Sequence, residues 1–82
     1  MSLLVYVAGP LTTGNASDNV RWAVQEADKL LEAGLTPFVP HLTHLWDMIS
    51  GHPYEEWLEY DFRVLARCDV LLRIGGKSAG AD

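Results

Sequence analysis

Asp61 is the residue whose position asks most of the fold. Wind the segment from Pro53 to Arg67 as a helix at about 100° per residue, and Glu55, Glu56, Glu59, Arg63 and Arg67 gather on one side. Asp61 stands apart from them, inside the apolar stripe of Tyr54, Trp57, Leu58, Phe62 and Leu65. A carboxylate on an inward face is costly unless something compensates it. It therefore either bonds backbone amides or an arginine across the core, or serves a site as a proton-transferring or ligand-binding group. Tyr6, near the carboxyl end of an apolar run, has a similar choice. Its ring packs and its hydroxyl is satisfied, or the hydroxyl points into a site.

Other chemistry-bearing residues form weaker patterns. The stretch Ile74-Gly75-Gly76-Lys77-Ser78-Ala79-Gly80 suggests a phosphate loop, but a Walker A motif needs a glycine at position 71, where Leu71 stands. What remains is a run of small residues with exposed backbone amides, either an anion cradle or a simple turn. His41, His44, His52 and Asp47 offer metal-ligand types without cysteine support, and surface or core-satisfied histidines account for them better. No metal site is expected. Cys68 reads as a small core residue beside a buried strand.

These residues need elements to position them. Leu3 to Ala8 is a continuous apolar run ended by Gly9-Pro10, the mark of a strand buried on both faces. A helix follows from about Ser17 to Ala33, capped by Ser17 or Asp18 and closed by Gly34. Val20, Ala23, Val24, Ala27, Leu30 and Leu31 form its inward stripe, with Trp22 on the outer side as a candidate subunit contact. Thr36 to Val39 reads as a short second strand, with Pro37 best placed near its start or on an edge. His41 to Gly51 reads as a long connection that packs through Leu42, Leu45 and Trp46. A second helix runs from Pro53 to about Arg67, and Asp69 to Ile74 forms the third strand. Alternating strands and helices predict an α/β fold with parallel strands in an open sheet. In such a sheet the ligand site lies at the carboxyl ends of the strands. Residues 9–15, 39–44 and 75–82 meet there.

With 82 residues, the chain is one small domain, and its 49% apolar and 21% charged composition is that of a globular protein. A domain of this size buries only about 60% of its unfolded surface, which favours association with other copies. Six Lys and Arg against eleven Asp and Glu leave a net charge of −5, so no basic surface exists to bind a nucleic-acid backbone. No apolar run spans a membrane, and one cysteine cannot form an internal disulfide. A cytoplasmic setting is expected.

Three stretches, taken together, resemble the nucleoside 2-deoxyribosyltransferase-like superfamily, in particular its small uncharacterised members. They are Val5-Tyr6-Val7-Ala8-Gly9-Pro10, then Tyr60-Asp61 with Leu65 and Cys68-Asp69, then Gly76-Lys77-Ser78-Ala79-Gly80-Ala81-Asp82. The resemblance covers nearly the whole chain. It implies a three-layer, Rossmann- or flavodoxin-like β-α-β-α-β arrangement, and cleavage or exchange at the N-glycosidic bond of a deoxynucleoside or its 5′-monophosphate. A glutamate holds the sugar covalently in that chemistry, as carboxylates do in retaining glycosidases.

Residue by residue, the resemblance implies that Asp61 serves the departing base and that Tyr6 bonds the nucleophile. Gly9, Pro10, Ser78 and Gly80 would bind the sugar or phosphate, Ser78 in a form of the turn suited to a phosphate. Pro10 stands where the monophosphate hydrolases carry serine. The nucleophilic glutamate would stand two positions after Asp82, so the chain is expected to be part of a longer domain. The resemblance implies no metal or organic cofactor, a small nucleoside or nucleotide as ligand, and assembly into dimers or larger rings. A nucleotide-binding module without turnover, or an assembly domain built on Trp22, Trp46 and Trp57, is the alternative.

Overall fold

The computed structural model describes residues 2–9 and 15–74. Its elements are β1 (Leu4–Ala8), α1 (Ala16–Glu32), β2 (Thr36–Phe38), a 3-10 turn (Pro40–Leu42), α2 (Thr43–Ile49), α3 (Tyr54–Leu65) and β3 (Val70–Arg73). The three strands are parallel, in the order β2-β1-β3. Helices lie between them in sequence, which is the open α/β arrangement of Rossmann-like domains.

β1 is central, and its apolar run follows from that place: Val5, Tyr6 and Val7 are all buried. Tyr6 pairs with Phe38 on one side and with Leu71 on the other. β2 is an edge strand among the described residues, where Pro37 is tolerated. At the start of β3, Asp69 makes a double tie to β1. Its N–H donates to the Leu4 carbonyl (2.8 Å), and its carboxylate accepts the Leu4 N–H (2.8 Å).

Side chains alternate along β1, so its two faces meet different helices. Val7 is fully buried with Ala23 and Ala27 of α1 and with Val39. Alanines one turn apart bring α1 close to the sheet, and Leu30 and Ile74 complete this cluster. Val24 and Leu31, expected in the same stripe, are exposed; the small side chains at 23 and 27 make the real contact, leaving the flanking positions outside. Trp22 is exposed as expected.

The ends of α1 show how local chemistry sets its limits. The cap is Asn15, whose side-chain oxygen accepts the Asp18 N–H (3.1 Å), two or three residues before the expected Ser17 or Asp18. At the other end Gly34 adopts φ +89°, the left-handed conformation that favours glycine. The Leu35 N–H donates to Leu30 O and the Gly34 N–H to Leu31 O, both at 3.0 Å, closing the helix in a Schellman motif.

The segment His41 to Gly51, expected as a long connection, instead holds most of a 3-10 turn (Pro40–Leu42) and all of α2. Leu42, Leu45 and Met48 remain exposed, so this segment packs less than expected. Trp46 is its main anchor, edge-on to Trp57 and Tyr60 of α3 at ring-centroid distances of 5.1 and 5.9 Å.

Candidate active site at the carboxyl ends of the strands

From β1 the chain moves out to β2 on one side, then returns to β3 on the other. The order therefore reverses beside β1, and the carboxyl end of that strand is where an open α/β sheet holds its ligand. A cavity of about 430 Å³ opens there, between the end of β1, the 3-10 turn, α2 and α3. Its size falls within the range of about 300–1,000 Å³ typical of small-molecule sites.

Tyr6, Gly9 and Asp61 all line this cavity, as do His41 and Trp57. The structure thus brings together three of the expected site residues from two elements and one strand end. Pro10, Ser78 and Gly80 lie outside the described residues. α3 carries no fully buried residue, so the stripe expected to pack inward is partly open, with Tyr54 and Phe62 exposed. Asp61 is nevertheless half-buried, and its Oδ1 is sequestered from solvent without a hydrogen-bond partner among the described residues. Neither an arginine nor a backbone amide satisfies that oxygen. Burial pushes the Asp61 carboxyl above the ordinary carboxylate range.

Tyr6 is held firmly. Its ring meets Phe38 at 5.7 Å and the backbone on both sides belongs to the sheet. Burial, with the Asp61 charge and then Cys68 adding to it, pushes the phenol up to about 12. It therefore stays protonated at neutral pH and keeps an O–H able to donate a hydrogen bond. Gly9 answers a close approach: a Cβ there would meet Ile74 Cγ1 at 2.7 Å, just where the Ile74 N–H donates to Ala8 O (2.7 Å). Glycine keeps the ends of β1 and β3 side by side at the cavity mouth.

The histidines do not converge. His41 is buried in the cavity wall and His44 lines it, whereas His52 turns away and sets Nδ1 2.9 Å from Glu56 Oε2. Among the described residues no group of three or more His, Cys, Asp or Glu is arranged to hold a metal ion.

Sequence reasoning missed the role of Asp47. Its Oδ1 accepts the His52 N–H (2.8 Å) and the Trp57 indole N–H (2.7 Å), tying α2 to α3 across the turn at Gly51. The His52 amide foremost, and then the indole, hold its carboxyl below the ordinary range. No periodicity signals this contact, because it depends on a chain reversal between two helices.

Among the described residues no helix is long and apolar enough to cross a membrane. No curated protein and no solved structure matches the chain significantly. The match to a family profile is extensive, running over residues 3–82, and the chain belongs to that family, described as a domain of unknown function (DUF4406).

Proposed function

We propose that the cavity is the site of an enzyme acting on the N-glycosidic bond of a deoxynucleoside or its 5′-monophosphate, by hydrolysis or by base exchange. One observation carries this reading. A carboxyl oxygen with no partner among the described residues, Asp61 Oδ1, is sequestered beside a ligand-sized cavity at the carboxyl ends of the strands. The family resemblance of Val5 to Pro10, Tyr60-Asp61 and Gly76 to Asp82 supplies the chemistry. Asp61, its carboxyl pushed up by burial, serves the departing base as proton donor. Tyr6 donates a hydrogen bond to the nucleophilic carboxylate, and Gly9 leaves room for the sugar at the strand end. The nucleophile is the glutamate that the resemblance puts two positions after Asp82, and Pro10, Ser78 and Gly80 bind the sugar or phosphate.

This reading includes assembly of several copies in the cytoplasm. The exposed Leu45, Met48, Ile49, Tyr54 and Phe62 on α2 and α3 form a face that a second copy would cover. Light scattering of the full gene product is expected to give a mass of two or more chains.

The decisive assay offers the full gene product deoxynucleosides and their monophosphates and follows base release and exchange. Turnover is expected, slowed on the order of 10²–10⁴-fold by Asp61→Asn. Absence of both release and exchange with every substrate would sink the enzyme reading. Calorimetric binding without turnover would select a nucleotide-binding module, and neither binding nor turnover would leave an assembly domain.

A further inference from the structure

We infer that Asp47 is a positioning residue that sets Trp57 upright in the cavity wall as the stacking surface for a planar heterocyclic base; this rests on the proposed function and names how the same site reads its base. Trp57 and Asp61 lie one helical turn apart on α3 and both line the cavity. A flat aromatic surface beside a carboxyl group is what a heterocycle needs: a face to stack on, and a polar group at its edge.

The orientation of Trp57 is fixed by a second residue of the cavity wall, Asp47. Its indole N–H is donated to Asp47 Oδ1 at 2.7 Å, and the same oxygen takes the His52 N–H at 2.8 Å. Trp46, Tyr60 and His52 stand at 75°, 81° and 86° to the ring, with centroids 5.1, 5.9 and 5.5 Å away. These near-perpendicular neighbours brace the indole without any of the three lying flat upon it. Asp47 supplies the one directional bond in this arrangement, and a charge-assisted bond of this kind is stronger than a neutral one.

The test uses the full gene product, labelled with ¹⁵N and titrated with a free purine and a free pyrimidine base. Trp57→Phe identifies the Trp57 indole resonance by its disappearance. Addition of base is expected to shift that resonance in the wild type. Asp47→Ala is expected to weaken base binding by about tenfold, and Asp47→Asn, which keeps an acceptor oxygen, to restore it to within about threefold. Backbone resonances of Val7 and Ala23 report whether each variant is folded. Binding by Asp47→Ala as tight as the wild type, or a Trp57 resonance that base leaves unmoved while others shift, overturns the inference and leaves the proposed function standing. No base binding by the wild type overturns both. Where Asp47→Ala does not fold, Trp57→Phe decides: it keeps a ring but loses the bond to Asp47, and unchanged affinity overturns the inference.

Discussion

The two faces of the sheet are built to different standards. On the α1 face, Val7, Ala23, Ala27 and Val39 close together with little exposure, and small side chains let helix and sheet approach. On the α3 face, large rings and a carboxyl group stand around open space, and the described part of α3 buries no residue fully. One strand serves both. The lesson is a division of labour within β1: Val7 packs the closed face, while its neighbour Tyr6, pointing the other way, lines the cavity.

Substitutions on the α1 face break this comparison most directly. Val7→Ala and Ala23→Leu, one emptying and one overfilling the contact, are each expected to cost about 1–3 kcal/mol in denaturant unfolding of the full gene product. Neutral outcomes would mean that the faces do not differ.

The next effect belongs to Tyr6. Its phenol rises from an ordinary 10.0 to about 12, so its contribution to stability is complete below pH 10.0 and is lost as pH climbs through about 12. Phenolate absorbance should show a tyrosine ionising at about pH 12 that Tyr6→Phe removes, together with that part of the alkaline loss of stability.

Asp61 sharpens the contrast further. A carboxyl raised by burial also favours the folded state at low pH and disfavours it as pH passes the raised value. Asp61→Asn is therefore expected to stabilise the protein at neutral pH by up to about 1 kcal/mol, discounted because water reaches part of the group. The gain should vanish in acid, below the ordinary aspartate range. A destabilised variant at neutral pH would show that the carboxylate is compensated after all.

The smallest effect is expected on the outer α3 surface. Phe62→Ala should change the stability of a dissociated subunit by less than about 0.5 kcal/mol. A larger cost that appears only as protein concentration rises would show that copies meet there.

Much of the closed face and the alternation of strands and helices along the chain were legible because both rest on local pattern. An apolar run, a glycine after a helix and a 3.6-residue stripe each leave a trace within a short window. Asp61 was legible for the same reason, as a charge out of step with its own helix. α2 was not: seven residues with no side-chain cap leave no helix start to read. Nor was the cap at Asn15, since Ser17 and Asp18 are equally good cap types and only geometry chooses among them. Asp47 escaped because its partners, His52 and Trp57, are brought to it by the turn between two helices. Its chemistry is tertiary.

The pair of hydrogen bonds between Asp69 and Leu4 has a consequence for how the chain is made. During synthesis β1 emerges first and gains β2 after about thirty more residues, yet its other edge waits for a partner 65 positions away. Throughout that interval the most apolar strand of the protein presents an open edge, a template for strands of other nascent chains. When Asp69 arrives, its amide and carboxylate seize both polar groups of a single residue. A slip of one residue would turn the side chains of β3 to the opposite faces of the sheet. The two hydrogen bonds thus fix the register of the last strand against one already paired on its other edge.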